Sequence, residues 1–216
     1  MVRKSSLLSG GPIVVTAFRG LIPNGNNGGP YTPQGVDNFD PNATEGYVIG
    51  VNSKFYDRFE LRRISNSGGT PTLSGNVTIM GVANGATIKV PHLGNTGGTA
   101  GNLDALDYRL MAACVRNGRL WTSANLAVDN TGAPGGTDTR VGVRWWEIQG
   151  IATGQTPSIV QAGTVFEASP ANSTTNLHFF MGTVMVSGQG HAAMGFTTAG
   201  ANAYANAATV GRLKND

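Results

Sequence analysis

Four aspartates are the residues with the clearest potential for chemistry, because they form two pairs with the same spacing. Segments 36–40 (VDNFD) and 103–107 (LDALD) share an apolar–Asp–x–apolar–Asp pattern. If the two segments occupy equivalent positions of two repeats, their carboxylates line one rim. Such a cluster could hold Ca²⁺, which takes six to eight oxygen ligands, or act as an acid/base pair in glycoside hydrolysis. The structural alternative is that each aspartate caps a turn by accepting backbone N–H bonds.

The predicted metal ligands are therefore Asp37, Asp40, Asp104 and Asp107, with Ca²⁺ as the one cofactor considered. No catalytic residue is assigned. The three histidines, His92, His178 and His191, lack metal-ligand spacing. The single cysteine, Cys114, lies in an apolar run, which favours a small buried hydrophobe over a redox or metal role.

The three tryptophans are the predicted ligand-binding residues, since indole rings stack on sugars. They are Trp121, Trp145 and Trp146. Successive residues of a strand point to opposite faces, so Trp145 and Trp146 cannot share one platform. The alternative is that one of these two packs between sheets while the other is partly exposed.

The composition favours many short strands joined by tight turns. Of 216 residues 32 are glycine, about twice the typical fraction of about 7%. Only 12% of the residues are charged, against a typical fraction of about 25%. A hydrophobic content of 40% is enough for a core. The formal charge is +3, and the arginines are scattered along the chain, so no nucleic-acid partner is expected.

Apolar and β-branched runs, separated by Gly, Asn and Pro, predict the strands. The predicted runs are 13–18, 46–51, 58–64, 76–82, 110–115, 120–126, 141–148, 158–166, 179–186 and 191–197. Asn117-Gly118 is a strong hairpin signal because both residues tolerate positive φ. Gly46, Gly118 and Gly190 each precede an apolar run and are 72 residues apart, which is typical of a repeat fold.

The pattern predicts an all-β protein of antiparallel four-stranded blades, a partial β-propeller of about three to four blades. The predicted units are a partial blade and loop over 1–33, blades over 34–102 and 103–170, and a partial blade over 171–216. Complete propellers have about 4–8 blades, so we expect a piece of a longer ring that associates with itself or with further blades. No apolar run is long enough to span a membrane, and none near Met1 resembles a signal peptide.

Several segments carry a resemblance to a known family. Segments 117–122 (NGRLWT), 144–147 (RWWE), 161–165 (QAGTV) and 186–196 (VSGQGHAAMGF) resemble the blades of bacterial secreted β-propeller proteins of the sialidase-like type. The resemblance covers residues 36–212 and implies a secreted or cell-surface parent protein. The Asp-box of sialidases, Ser-x-Asp-x-Gly-x-Thr-Trp, does not occur, and the arginines, nucleophilic tyrosine and acid of a sialidase site cannot be assigned.

The function expected from these features is a non-enzymatic binding or structural module of a secreted or cell-surface protein, with a carbohydrate or protein ligand. The first alternative is a fragment of a glycoside-hydrolase-like propeller enzyme. The second is a propeller fragment whose copies assemble into a ring. An enzyme should gather acids and arginines around one pocket, whereas a binding module should have shallow aromatic or apolar patches.

Overall fold

The predicted all-β class is confirmed. A computed structural model describes residues 2–21, 27–65, 69–83, 85–134, 139–170 and 176–216. Strand accounts for 49% of the structure and helix for 5%, and the sheets are curled and mainly antiparallel. Within these residues no helix is both long enough and apolar enough to cross a membrane.

The helical segments are short and the strands are many. One α-helix, α1, spans Lys4–Leu8, and a 3₁₀ turn spans Gly98–Gly101. The strands are β1 (Pro30–Gly35), β2 (Asp37–Asn38), β3 (Glu45–Asn52), β4 (Arg58–Ser65), β5 (Thr72–Leu73), β6 (Val77–Met80), β7 (Leu110–Arg116), β8 (Arg119–Val128), β9 (Arg140–Gln149), β10 (Ser158–Val165), β11 (His178–Val186), β12 (Ala192–Gly200) and β13 (Ala203–Arg212).

Apart from β2, the strands form three sheets that follow one another along the chain. The first sheet has the order β1-β3-β4-β5, with β6 also paired to β4. The middle sheet is the consecutive meander β7-β8-β9-β10, to which β2 adds in parallel beside β7. The third sheet is the meander β11-β12-β13. Four consecutive antiparallel strands, β7–β10, thus occur within a five-stranded sheet, and the other two sheets have five and three strands.

The middle sheet is largely buried on both faces along β7, β8 and β9, whereas β10 has no fully buried residue. Ala113 and Val115 point towards the first sheet, while Cys114 between them points towards the third. On β9, Trp146 faces Phe59 of the first sheet, and Val143 faces Val184 of the third. The period-2 alternation of a strand therefore fills two separate cores from one sheet. Three layers of sheet result, with β8 at the centre.

Burial on both sides requires that every polar side chain of β8 find a partner. Ser123 donates its hydroxyl to the carbonyl of Gly182 on β11, at 2.8 Å. Asn125 donates to Ala105 O at 2.9 Å and accepts from the N–H of Met181 at 2.9 Å. Both residues are fully buried, so these bonds fix how the third sheet sits on the middle one.

The predicted strands of the first and middle sheets agree with the structure within two or three residues. Asn117 and Gly118 both have positive φ, 54° and 69°, as the hairpin prediction requires. Gly46, in contrast, lies within β3 opposite Ile64 and not in a turn. The propeller arrangement and the unit boundaries stay predictions.

Three differences from the predicted strands have physical reasons. The run 13–18 forms only an isolated bridge from Val15 to Val2, and Ile13 is 66% exposed, so no sheet covers this β-branched run. The predicted partial blade and loop over 1–33 lies partly outside the described residues, and its last part, from Pro30, belongs to β1. Strand β13 was not predicted because its small residues are mostly exposed and do not alternate.

Glycine at position 182 allows the third sheet to approach the middle one. A Cβ added there would lie 2.7 Å from Cγ2 of Val143. We expect Gly182→Ala to lower the free energy of unfolding by about 2 kcal/mol through overpacking. Gly195→Ala, on the neighbouring strand β12 with no atom within 4 Å of the added Cβ, is the matched control and should be neutral or slightly stabilising. Urea unfolding of both variants measures this, and equal stabilities would contradict it.

His178 makes the stability of the protein depend on pH. Burial, followed by the charge of Arg140, lowers the pKa of His178 to about 4. Its Nδ1 accepts from Val141 N at 3.1 Å, which requires the neutral ring. Between pH 6.5 and about 4 the unfolded chain takes up a proton that the folded protein does not, so stability falls as the pH is lowered. The loss reaches up to about 3 kcal/mol at pH 4.

This loss is measured by urea unfolding of the wild type and of His178→Gln across that pH range. The free energy of unfolding of His178→Gln should lack the part of the pH dependence that His178 causes. The free energy of unfolding of His191→Gln, at an exposed histidine, should keep that part. If His178→Gln leaves the pH dependence of the free energy of unfolding unchanged, His178 is not its cause.

Candidate functional site

The best-formed polar cluster lies where β1 meets the segment that leads into β7. Tyr31 on β1 donates its hydroxyl to Asp107 Oδ2 at 3.1 Å. Arg109 binds the same carboxylate with two nitrogens, Nε to Oδ1 at 2.7 Å and Nη2 to Oδ2 at 2.9 Å. Its Nη2 also donates to the Tyr31 hydroxyl at 3.3 Å. The three side chains thus form a closed hydrogen-bonded triangle.

Two more tyrosines complete an aromatic cleft around this triangle. Tyr56 and Tyr108 contact each other edge to face, with ring centroids 5.3 Å apart. The guanidinium of Arg109 lies 5.5 Å from the centre of the Tyr31 ring. We call this the tyrosine cleft; it has a volume of about 390 Å³ and is lined by Tyr31, Tyr56, Ala86, Asp107, Tyr108 and Arg109. Tyr56 is 40% exposed, so the cleft opens to solvent.

Backbone strain is concentrated around the tyrosine cleft. Five described residues other than glycine have positive φ, and three of them are in or beside the cleft: Thr32 at 40°, Tyr56 at 58° and Leu106 at 60°. Thr32 follows Tyr31 at a register shift between β1 and β3, and Leu106 precedes Asp107. Strained conformations and bulges are typical of functional sites, where they aim side chains that regular strands would place elsewhere.

Unpaired buried polar atoms occur at the same place. The described residues contain four buried side-chain polar atoms without a hydrogen-bond partner in the protein, and two of them are Tyr108 Oη and Thr32 Oγ1. Leaving a buried polar atom unpaired costs about 1–3 kcal/mol. Strain and unpaired atoms together mean that the surrounding fold holds this cleft open at a cost in stability.

A buried polar network holds the turn that carries Tyr56. The carboxylate of Glu60, 2% exposed, accepts from Asn52 Nδ2 at 2.7 Å and from the Thr78 hydroxyl at 3.0 Å. Asn52 Oδ1 in turn accepts from the N–H groups of Lys54 and Phe55, at 2.8 and 3.0 Å. Tyr56 is thereby fixed from the core of the first sheet.

The charges of the cleft favour neutral phenols beside an ionised carboxylate. Hydrogen bonding from Arg109 lowers the pKa of Asp107 despite its partial burial. The hydrogen bond to Asp107 raises the pKa of Tyr31, and burial raises the pKa of Tyr108. At neutral pH the cleft therefore offers hydroxyl donors, carboxylate oxygens and guanidinium N–H groups, which suits a polyhydroxylated ligand.

The four predicted metal ligands are not brought together. Asp40 accepts from the N–H groups of Asn117 and Gly118, at 2.6 and 2.7 Å, and so caps the β7–β8 hairpin. Asp104 and Asp107 lie before the other end of β7, and that strand of seven residues spans roughly 20 Å. Asp104 is paired with Lys89 at 2.6 Å, and Asp37 is exposed.

Calcium binding at these aspartates stays a prediction. Within the described ranges no group of three or more His, Cys, Asp and Glu side chains is placed to hold a metal ion. Asp40 has the structural role that turn capping predicts, and Asp107 is the one predicted residue that lines the tyrosine cleft.

The predicted tryptophans occupy two different cores. Trp146 is 2% exposed and contacts Phe59 edge to face between the first and middle sheets. Trp121 and Trp145 stack on each other at 5.6 Å on the opposite face, towards the third sheet. Trp121 is 4% exposed and Trp145 half-buried, so the three form no common sugar platform. The prediction that Trp145 and Trp146 face opposite sides is confirmed.

Sequence reasoning missed the tyrosines and Arg109. Tyr31, Tyr56 and Tyr108 are far apart in the chain and share no motif. The one usable signal was the Asp107-Tyr108-Arg109 run, in which an acid and a base flank an aromatic residue just before a strand.

Comparisons with protein-family models, with curated proteins and with solved structures gave no match to this chain.

Proposed function

We propose that the protein is a non-enzymatic carbohydrate-binding module and that the tyrosine cleft holds the sugar. The observation that carries the proposal is the convergence of three tyrosines, Asp107 and Arg109 on one open cleft with strained backbone around it. The proposed setting, the exterior or surface of a bacterium, rests on the resemblance of segments such as 117–122 to secreted propeller proteins.

The chemistry of the cleft suits a pyranose ring. Tyrosine rings provide flat apolar surface with a polar tip, so they can contact the C–H face of a sugar while the hydroxyl stays hydrogen-bonded. Asp107 accepts from ligand hydroxyls. The bonds that Arg109 makes to Asp107 and Tyr31 use its Nε and Nη2, which leaves Nη1 as a donor to a ligand oxygen. Because Glu60 and Asn52 fix the Tyr56 turn, little ordering is required on binding.

A specific arrangement also supports the enzymatic alternative, in which this cleft is the remnant of a glycoside-hydrolase-like site. Tyr31 has a carboxylate partner and a guanidinium beside it, as a sialidase-like site would need. The contacts of Asp107 argue against this role, because Arg109 binds both of its carboxylate oxygens and lowers its pKa, which makes it a weak base for activating the Tyr31 hydroxyl. We therefore rank binding above catalysis.

The binding proposal is tested by screening the protein on a glycan array and measuring the affinity of the best glycan by calorimetry. We expect Tyr56→Ala and Asp107→Asn each to weaken binding by about tenfold or more, because each removes a contact of about 1.5 kcal/mol. Tyr204→Ala is the matched control, since Tyr204 is 67% exposed on β13 and not part of the cleft. All variants must keep the wild-type circular dichroism spectrum.

Two outcomes would contradict this proposal. Affinities that Tyr56→Ala and Asp107→Asn leave unchanged would exclude the tyrosine cleft as the binding site. Hydrolysis of an aryl sialoside or another aryl glycoside that is abolished by Tyr31→Phe would replace binding by catalysis as the function.

We further propose that the three sheets are consecutive blades of a propeller arc. Their order along the chain, the meanders β7–β10 and β11–β13, and their face-to-face packing support this arrangement. An arc leaves sheet edges such as β13 without a neighbour on one side, and unpaired edges promote association. We expect dimers or larger species in mass photometry and light scattering at micromolar concentration. A monomer at every concentration tested would contradict the proposed association.

A further inference from the structure

We propose that a second cleft, separate from the tyrosine cleft, binds the oxyanion groups of an acidic glycan. It lies at the β7–β8 hairpin, where the middle and third sheets meet, and has a volume of about 310 Å³. We call it the basic cleft because Arg116, Arg119, Arg212 and Lys214 line it, against the single carboxylate of Glu147 among its described lining residues. The tyrosine cleft lies at the other end of β7.

The fold brings these cations together from two sheets. Arg116 ends β7 and Arg119 begins β8, and the two are directly paired across the hairpin. Arg212 ends β13, and Lys214 follows it. Two like charges directly opposite each other in a sheet are destabilising. A bound anion would offset that repulsion, and in its absence the repulsion is only partly compensated.

Contacts within the protein neutralise only part of this charge. Gln161 donates to Glu147 Oε2 at 2.5 Å and accepts from Arg212 Nη2 at 2.9 Å, so it links the carboxylate to that arginine. Glu147 Oε1 is 3.8 Å from Arg119 Nε. Glu147 thus forms an ion pair with Arg119 alone and reaches Arg212 only through the neutral Gln161. Among the described lining residues, no carboxylate pairs with Arg116 or Lys214.

The bonds of Arg116 go to neutral carbonyls, those of Val186 at 3.4 Å and Phe39 at 3.3 Å. Two further carboxylates lie nearby, and both are engaged by backbone. Asp40 accepts from Asn117 and Gly118, and Asp216 accepts from Leu213 N at 2.6 Å. These bonds leave both carboxylates charged, so the four cations, counted against Glu147, Asp40 and Asp216, keep an excess of one positive charge.

Guanidinium groups define the ligand chemistry. Their planar N–H pairs match the two oxygens of a carboxylate or sulfate, and such charge-assisted bonds are about twice as strong as neutral ones. The oxyanion preference follows from the cleft itself. That a glycan presents the oxyanion rests on the proposed function, so the substrate class we assign is an acidic oligosaccharide bearing carboxylate or sulfate groups.

The experiment measures calorimetric affinities for three probes: tetragalacturonate, a heparin-derived sulfated tetrasaccharide, and a heptaglutamate peptide. We expect at least one of the two saccharides to bind, with an affinity that falls as salt rises. Arg119→Ala and Lys214→Ala should each weaken that binding by about tenfold. Lys4→Ala is the control, since it removes one positive charge from α1, outside the cleft. Thermal unfolding confirms that each variant is folded.

The remaining outcomes separate this inference from the proposed function. Binding of neither saccharide excludes the site, and equally tight binding of the peptide makes its occupant an acidic peptide. Loss of saccharide binding in Tyr56→Ala without loss in Lys214→Ala assigns the acidic glycan to the tyrosine cleft, so the proposed function stands and this inference fails. Loss in Lys214→Ala with none in Tyr56→Ala supports the basic cleft even if the tyrosine cleft fails its own test.

Discussion

Burial of the middle sheet on both faces is the constraint on which the rest of the structure depends. A strand with one wet face tolerates polar residues on that face, but β8 has no such face. Each polar side chain it carries must therefore bond across to a neighbour, as Ser123 does to Gly182 and Asn125 does to Ala105 and Met181. These bonds, together with the close approach at Gly182, determine where the third sheet lies and hence which residues of β13 reach the basic cleft.

A sheet that is buried on both faces leaves only its strand ends for function. At the beginning of β7, the strained segment with Leu106 presents Asp107, Tyr108 and Arg109 to Tyr31 on β1. At its end, the hairpin capped by Asp40 presents Arg116 and Arg119. Loops and turns on a rigid scaffold commonly carry binding residues. Here the scaffold is the doubly packed part of the middle sheet, β7–β9, which directly follows the strained segment with Leu106.

The sequence predicted what periodicity and turn chemistry control, and little beyond it. Apolar and β-branched runs bounded by turn residues identified β3, β4, β6 and β7–β12, and Asn117-Gly118 identified a hairpin, because these signals are local. Strand β13 was not predicted because an exposed strand of small residues has no alternation of apolar and polar residues. The predicted strand over 13–18 was wrong because β-branched residues form a strand only where a partner strand exists. Of the predicted site residues, only Asp107 lines the tyrosine cleft, since its aromatic partners come from three separate elements.

The clustering of positive charge is the clearest example of a feature that the sequence alone did not predict. Along the chain the arginines are scattered and the net charge is only +3, which indicated no nucleic-acid partner. The fold, however, pairs Arg116 with Arg119 across one hairpin and adds Arg212 and Lys214 from residues about 95 positions later. The potential of a cleft depends on the local excess of charge and not on the total. Because two-sided burial of the middle sheet forces β13 to end beside this hairpin, the basic cleft is a product of the same packing that hides Trp121 and Trp146 in the cores.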